Sequence, residues 1–171
     1  MTEKPETLRP PGPPAFLAGM ETDLPLTARL ILASRFENIE VAERTLLDLC
    51  AQAGHDSEEE TYWLVTALRE AVANAVRHGN RENPDASVRV EIDVGAEEVR
   101  IRVADEGEGF DPSELPDPTD PEHLLRSSGR GIFYMRQFMN RVDFRRGPTG
   151  GTIVDMSRRF DPPARSRDDE E

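Results

Sequence analysis

The segment Leu68-Arg-Glu-Ala-Val-Ala-Asn-Ala-Val-Arg-His-Gly-Asn80 has the pattern that best indicates the fold of this chain. Its periodicity predicts the end of a long helix in which Glu70, Asn74 and His78 recur at every fourth residue. At about 100° of rotation per residue, this spacing predicts that the three side chains share one narrow face. A carboxylate, an amide oxygen and an imidazole arranged in this way can orient a hydroxyl group and hold a hard metal ion. A solvated polar face is the alternative explanation of the same stripe.

The same helix has a second, apolar face, which predicts packing on one flank and exposed polar groups on the other. The apolar positions are Leu64, Leu68, Val72 and Ala75. Asp56 or Ser57 can cap the start of the helix, and three glutamates follow at positions 58–60. Negative charge is favourable near the positive end of a helix dipole, so this acidic run is interpreted as part of the helix start.

Composition and charge limit the classes of function. The chain has 171 residues and a formal net charge of −13, which disfavours a nucleic-acid backbone or an anionic membrane as its main partner. No apolar run approaches the roughly 20 residues that span a bilayer, and the N-terminal residues lack a signal-peptide pattern. Cys50 is the one cysteine and lies in an apolar run, which predicts a buried thiol and a reducing compartment. We therefore expect a cytoplasmic protein.

The order of the predicted elements indicates an α+β fold. These elements are a strand (24–36), a helix (39–54), the long helix (56–79), a hairpin (87–94 and 99–104), a loop (111–128), a short helix (132–139) and a second hairpin (142–146 and 152–156). Asn38 is interpreted as the N-cap of the first helix. We expect a two-layer sandwich, with a mostly antiparallel mixed sheet covered on one face by three helices.

Three regions differ in composition. Residues 1–22 contain Pro10-Pro-Gly-Pro-Pro14 and show no periodicity, so they are predicted to be a flexible, disordered arm. Residues 23–160 are predicted to form a single domain, and the charged residues 161–171 an unstructured tail. Within the domain, the loop 111–128 is rich in proline and acidic residues, and a loop of this length is usually functional or disordered.

Asp105-Glu-Gly-Glu-Gly109 follows the second strand of the first hairpin. A carboxylate at a strand end can accept a hydrogen bond from the exocyclic amine of adenine, whereas guanine presents a carbonyl there. Gly107 and Gly109 would let the backbone approach a planar ligand. The acids do not follow the spacing of a calcium-binding loop, and the third glycine and helix of a dinucleotide-binding fingerprint are missing. A glycine-rich acidic turn is the alternative.

Gly129-Arg-Gly131 precedes the short helix. The free N–H groups and the dipole at a helix start favour phosphate, and Arg126 and Arg130 add positive charge. An ordinary capped helix is the alternative. Thr152 follows two glycines in the second hairpin, where a hydroxyl could lie near a base, although a plain turn explains these residues equally well.

These motifs occur as Glu-x-x-x-Asn, then Asp-x-Gly-x-Gly after a strand, then Gly-x-Gly at a helix start, over residues 70–131. In this order they resemble the GHKL ATPase superfamily. Within that superfamily, the segment 68–80 is similar to the anti-sigma factor serine kinases of bacteria. Sensor histidine kinases share the nucleotide motifs, but the segment before residue 56 is too short for their two-helix dimerisation module.

The resemblance implies ATP and Mg²⁺ as ligands. By this similarity, the catalytic residue Glu70 orients or deprotonates the hydroxyl of a serine or threonine, Asn74 binds Mg²⁺ through its side-chain oxygen, and Asp105 holds adenine. The loop 111–128 would close over the triphosphate as a lid. The residues implied in nucleotide binding are Asn74, Asp105, Gly107, Gly109, Arg126, Gly129, Arg130, Gly131 and Thr152.

The resemblance also implies protein partners. These are a STAS-domain anti-anti-sigma protein, which the kinase phosphorylates, and a sigma factor, which it sequesters. Such proteins often act as homodimers, and the strand near residues 27–34 is expected to supply part of the interface. No nucleic acid or membrane partner is expected. The alternative function is a non-catalytic ATP-binding module in which nucleotide only switches the affinity for a partner.

Overall fold

The helices of this protein pack on one face of a five-stranded sheet. The computed structural model describes residues 24–109, 130–148 and 150–160. Its strands are β1 (Leu26–Ala33), β2 (Ser87–Val94), β3 (Glu98–Ala104), β4 (Arg141–Arg146) and β5 (Thr152–Arg159). Its helices are α1 (Ile39–Gln52), α2 (Glu58–Asn74) and α3 (Arg130–Phe138), with a 3₁₀ turn at Phe36–Asn38 and a π-helical turn at Ala75–Gly79. The predicted α+β architecture is confirmed. The predicted arm (1–22), tail (161–171) and loop (111–128) lie outside the described residues.

The sheet has the strand order β1-β2-β3-β5-β4. All four pairings between these strands are antiparallel. The sequence predicts a mostly antiparallel sheet with some parallel pairing, whereas the described strands are fully antiparallel. Successive side chains of a strand point to opposite faces, which explains the alternating sequence of β2 and β3. The valines and isoleucines of both strands are buried, whereas Arg100 and Arg102 are exposed on the opposite face.

The core lies between this sheet and the helices. Leu64, Leu68, Val72 and Ala75 are all buried, so the predicted apolar face of α2 is confirmed. Cys50 on α1 is buried as well, and burial raises the pKa of its thiol to about 11. The thiol therefore stays protonated at neutral pH and acts as a small apolar group in the core. Within the described residues, none of the helices combines the length and the apolar character that a bilayer-spanning segment needs.

The two predicted helix caps differ in outcome. Ser57 caps α2, because its hydroxyl accepts a hydrogen bond from the Glu60 N–H at 3.3 Å. Asn38 occupies the N-cap position of α1 as predicted, but its side chain makes no capping hydrogen bond. A 3₁₀ turn already leads into α1, and Asn38 has helical backbone angles rather than the extended angles of a capping residue. Its Nδ2 instead donates to the carbonyl of Ala33 at 2.8 Å, which ties the end of β1 to the helix start.

Candidate functional site

A pocket of about 250 Å³ lies between α2, α3 and the sheet. Its apolar lining consists of Ala71, Ala75, Val103, Ile132, Phe144 and Val154. Its polar lining consists of Asn74, His78, Arg81, Asp105, Glu108 and Thr152. Gly79 and Gly109 complete it. An apolar cavity with a few convergent polar groups is the usual form of a small-molecule site.

Asp105 is the buried acid of this pocket, with 5% of its surface exposed. Its Oδ1 accepts hydrogen bonds from the N–H groups of Gly107 and Thr152, each at 3.0 Å. Burial raises the pKa of the Asp105 carboxyl above its ordinary value, and the hydrogen bonds from Thr152 and Gly107 oppose part of that effect. The two backbone donors fix the carboxyl in one orientation, which suits it to accept a hydrogen bond from a bound ligand.

Two glycines, Gly79 and Gly151, lie against Asp105 at distances that no side chain would allow, and a third, Gly107, lies that close to Gly79. A Cβ on Gly79 would clash with Asp105 Cγ, and a Cβ on Gly151 would lie 2.9 Å from the Asp105 carbonyl carbon. A Cβ on Gly107 would lie 2.6 Å from the carbonyl carbon of Gly79. Gly107 therefore makes room for another backbone segment, and it is not among the residues that line the pocket. Gly109 has a φ of +73°, lines the pocket, and would place a Cβ 2.7 Å from the Gly151 oxygen.

Asn80 is a supporting residue of the site that sequence reasoning missed. It is 6% exposed, its Nδ2 donates to the carbonyl of Ser87 at 2.9 Å, and its Oδ1 accepts from the Glu106 N–H at 2.8 Å. One side chain thus links the end of the long helix to the start of β2 and to the residue after Asp105. A polar residue after a helix-ending glycine is common, so nothing in the sequence distinguished this one.

Glu70 and Asn74 lie one turn apart on α2, and the start of α3 approaches both. A Cβ on Gly131 would lie 2.5 Å from Glu70 Oε2 and 3.5 Å from Asn74 Nδ2. Asn74 lines the pocket, whereas Glu70 is not among its lining residues. The carboxylate therefore lies beyond the cavity, next to the point where α3 begins.

His78 does not continue the stripe of Glu70 and Asn74 with ideal α-helical geometry. The N–H of Asn80 bonds to the carbonyl of Ala75 at 2.8 Å, a separation of five residues that defines a π-helical turn. The extra residue in this turn shifts the side chains after Ala75 around the axis. His78 is exposed and contributes to the pocket wall.

The positively charged candidates are only partly described. Arg130 is exposed at the start of α3, while Arg126 and Gly129 lie outside the described residues. Arg81, which sequence reasoning did not select, lines the pocket and forms an exposed ion pair with Glu108 at 2.7 Å. No signal in the sequence paired these two residues, which are brought together by the folding of the site.

The side chains of the site fit a magnesium ion that is held mainly by a ligand. Across residues 24–109, 130–148 and 150–160, no group of three or more His, Cys, Asp or Glu side chains could hold a metal. Asn74 offers one amide oxygen at the pocket, beside a space that any side chain at position 131 would fill. One protein oxygen is sufficient when substrate phosphates and water complete the coordination of Mg²⁺.

Residues 32–158 match the family model described as histidine kinase-like ATPase domain. The chain belongs to this family. The match covers all the described site residues and confirms the resemblance to the GHKL ATPase superfamily. A histidine kinase-like ATPase domain binds ATP, which agrees with a pocket built around a buried acceptor.

Individual members of the family are similar over much of their length. The chain is 30% identical over 112 residues to a serine-protein kinase RsbW of Oceanobacillus iheyensis, covering 62% of this chain and 70% of the relative. It is 32% identical over 126 residues to an anti-sigma F factor of Bacillus cytotoxicus, covering 71% and 84%. It is 32% identical over 135 residues to an anti-sigma F factor of Geobacillus stearothermophilus, covering 77% and 90%.

A solved structure supports the assignment of the histidine kinase-like ATPase fold. The crystal structure of the RsbU and RsbW domains of Rv1364c from Mycobacterium tuberculosis aligns with a TM-score of 0.54 at 18% sequence identity. The alignment covers 78% of this chain and 32% of that longer chain. At this identity the similarity establishes the fold alone.

Proposed function

We propose that this protein is an ATP-dependent serine/threonine kinase that acts as an anti-sigma factor. It phosphorylates a STAS-domain anti-anti-sigma protein and sequesters a sigma factor. The observation that carries the proposal is the position of Glu70, which lies beside Gly131 and one helical turn from Asn74. Nucleotide binding alone does not require a carboxylate there. The names of the relatives, a serine-protein kinase and anti-sigma F factors, support the same function.

The pocket supports a specific orientation of ATP. Asp105 accepts a hydrogen bond from the adenine amine, with Gly107 and Gly109 in the loop beside the base and Thr152 holding the carboxyl in place. Asn74 coordinates Mg²⁺ through its side-chain oxygen. The phosphates then extend along α2 towards the start of α3. There Gly129, Arg130 and Gly131 supply N–H groups and positive charge, and Arg126 adds to it.

Glu70 is the proposed base of the transfer. Bound ATP would supply the phosphoryl group, and the Mg²⁺ ion would neutralise the charge that develops on that group during transfer. Glu70 takes the proton from the serine or threonine hydroxyl of the partner, whose oxygen forms the new bond to phosphorus. The products are a phosphorylated partner and ADP.

The exposed edge of the sheet supports a protein interface. Among the described strands β1 lies at an edge of the sheet, and Ile31 on its solvent-facing side is 76% exposed. Unpaired backbone groups and an apolar side chain on an edge strand favour association with another chain. We propose that β1 contributes to a homodimer. An Ile31→Lys variant should shift the sedimentation coefficient towards the monomer, and an unchanged coefficient would exclude this interface.

The kinase proposal is tested with labelled ATP and the STAS-domain proteins of the same organism. Label should appear on a serine or threonine of one of these proteins. Glu70→Gln should slow the transfer by about 10²–10⁴-fold, the usual contribution of a general base, while calorimetry still detects ATP binding. Glu59→Gln is the matched control, because it makes the same chemical change at an exposed position in the first turn of the same helix.

Each outcome decides between the two functions. Label on a partner, lost in Glu70→Gln and kept in Glu59→Gln, supports the kinase. Tight ATP binding that changes partner affinity without transfer supports the non-catalytic switch. Transfer at the wild-type rate by Glu70→Gln would show that Glu70 is not the base.

A further inference from the structure

Five aromatic side chains of α2 and α3 form a surface group that we call the aromatic cluster. Its members are Tyr62, Trp63, Phe133, Tyr134 and Phe138. None of them is among the residues that form the core or pack against it. Tyr62 is 64% exposed, and the other four are partly exposed. An exposed group of aromatic side chains on a soluble domain marks a surface that binds another segment.

The cluster is already ordered. Trp63 and Phe138 lie nearly parallel, with ring centroids 6.2 Å apart and planes 13° apart, and Tyr134 stacks on Phe138 at 5.9 Å and 11°. The Arg158 guanidinium lies 4.2 Å from the Trp63 ring centroid, and its Nη1 donates to the Phe138 carbonyl at 2.6 Å. These contacts hold the rings in place, so a ligand would not have to order them on binding.

We propose that the arm of this same chain, through Pro10-Pro-Gly-Pro-Pro14, docks on the aromatic cluster. The segment contains two overlapping Pro-x-x-Pro patterns, at residues 10–13 and 11–14. Proline-rich segments favour the polyproline II helix, and grooves lined by aromatic side chains recognise that helix at little entropic cost. The Tyr62 and Tyr134 hydroxyls and the Trp63 indole N–H are donors that suit its unpaired carbonyl groups.

The arm enters the domain close enough to reach the cluster. Leu26 pairs with Val94, Val94 with Val99, and Val99 with Arg158, so the start of β1 and Arg158 lie in one row across the sheet. Three strand spacings separate them, a distance of about 14 Å. The chain between Pro14 and the start of β1 can extend to roughly 35 Å, which is ample.

Charge favours the same contact. Arg9 immediately precedes the prolines. Glu58 and Glu59 are exposed in the first turn of α2, one turn before Tyr62. With the prolines on the aromatic rings, Arg9 lies within reach of this acidic turn, and a basic residue beside a proline core sets the direction of binding.

The contact would couple the arm to the start of α3. Trp63 belongs to α2, whereas Tyr134 and Phe138 belong to α3, so a segment across the cluster bridges the two helices. α3 begins beside Glu70. The docked arm therefore fixes the helix that approaches the proposed base, although its docking does not depend on the kinase proposal.

Trp63 is the only tryptophan of the chain, and its fluorescence reports directly on the cluster. The test variant is the full chain with Pro10, Pro11, Pro13 and Pro14 each replaced by alanine. Its Trp63 emission should shift to longer wavelength and acrylamide should quench it more strongly than in the wild type. A free peptide of residues 6–18 should reverse the shift at about millimolar concentration, the effective concentration of a tethered segment. The matched control is the full chain with Pro162→Ala and Pro163→Ala, which should behave as the wild type.

Two further measurements make the outcome decisive. In a Tyr62→Ala background, the four arm substitutions should add no further change, because the surface that they act on is already damaged. Equal emission and quenching in the wild type and the arm variant would overturn the proposal, as would full additivity with Tyr62→Ala. A wild-type signal that depends on protein concentration would place the arm of a second copy on the cluster and overturn docking within one chain.

Discussion

Gly131 lies so close to Glu70 that a Cβ on the glycine would fall 2.5 Å from Glu70 Oε2. The two residues are 61 positions apart in the sequence, and they meet because α3 packs along α2. Because position 131 has no side chain, the Glu70 carboxylate can lie beside the start of α3. The helix start is a proposed phosphate site and the carboxylate a proposed base, so their proximity would join the two halves of a phosphotransfer site.

Gly131→Ala should impair phosphotransfer while changing stability little. The added methyl group meets the far end of the flexible Glu70 side chain, which can rotate away at low cost but then leaves its position beside α3. We expect a lower rate of transfer to the STAS-domain partner, with the midpoint of thermal unfolding nearly unchanged. Gly95→Ala is the control, because its Cβ meets only ordinary contacts in the β2–β3 turn, 3.4 Å or more away. Equal transfer rates in both variants would contradict the prediction.

Gly107→Ala should do the opposite and lower the stability of the fold. Its Cβ would clash with the carbonyl of Gly79, which is backbone and cannot rotate away. Forcing a methyl group into such a space typically lowers the free energy of unfolding by about 1–3 kcal/mol. Urea denaturation of the wild type, Gly107→Ala and Gly131→Ala would measure this difference. A Gly107→Ala variant as stable as the wild type would show that the loop after Asp105 can move away from the helix end.

Asn80→Ala should destabilise the protein and weaken ATP binding. The change leaves the Glu106 N–H and the Ser87 carbonyl without their partner, and an unsatisfied buried group costs about 1–3 kcal/mol. Because Glu106 follows Asp105, the loss should also loosen the carboxyl that we propose binds adenine. Denaturation would give the first effect and calorimetry with ATP the second.

Asn80→Asp is the matched variant for this position. The aspartate keeps an oxygen that can accept from the Glu106 N–H but loses the donor to Ser87. ATP affinity should therefore be closer to the wild type than in Asn80→Ala, while stability remains reduced. Equal ATP affinity of the two variants would mean that the bond to Glu106 does not position Asp105.

ATP affinity should depend on pH through Asp105. Burial raises the pKa of its carboxyl, so the group gains a proton at a higher pH than an ordinary aspartate. A protonated carboxyl loses the charge that would strengthen the proposed hydrogen bond from the adenine amine. We expect ATP affinity to fall as the pH is lowered through this raised pKa. Titrating the wild type and Asp105→Asn with ATP over a range of pH measures the effect, which the asparagine variant should lack.

The free energy of unfolding without ligand should show the reverse dependence. Between the ordinary and the raised pKa of Asp105, the folded state binds more protons than the unfolded state. The contribution of this group to stability is therefore present at low pH and is lost as the pH rises through that interval. The free energy of unfolding of the wild type should therefore rise relative to that of Asp105→Asn as the pH is lowered through this interval. A difference that does not change with pH would place Asp105 in a solvated environment.

Parts of the fold and of the candidate site could be predicted because they depend on local periodicity. The alternation of Val and Ile in β2 and β3 indicated half-buried strands, and the spacing of Glu70 and Asn74 placed them one turn apart on α2. The α-helical period did not continue to His78, where a π-helical turn adds a residue, although His78 lines the same pocket as Asn74. Sequence reasoning placed Asn38 correctly at the N-cap of α1, but it did not show the 3₁₀ turn that ends there, and the side chain makes no capping hydrogen bond.

The sequence by itself determined the helices, the strands and the motif order, because these follow from repeating patterns within a few neighbouring residues. Only the tertiary structure decided which distant residues meet. It brought Gly79 and Gly151 against Asp105 and Gly107 against Gly79, placed Gly131 beside Glu70, and joined the aromatic rings of α2 and α3. Burial of the apolar faces in one core sets those meetings, and packing of this kind depends on the whole chain rather than on any local pattern.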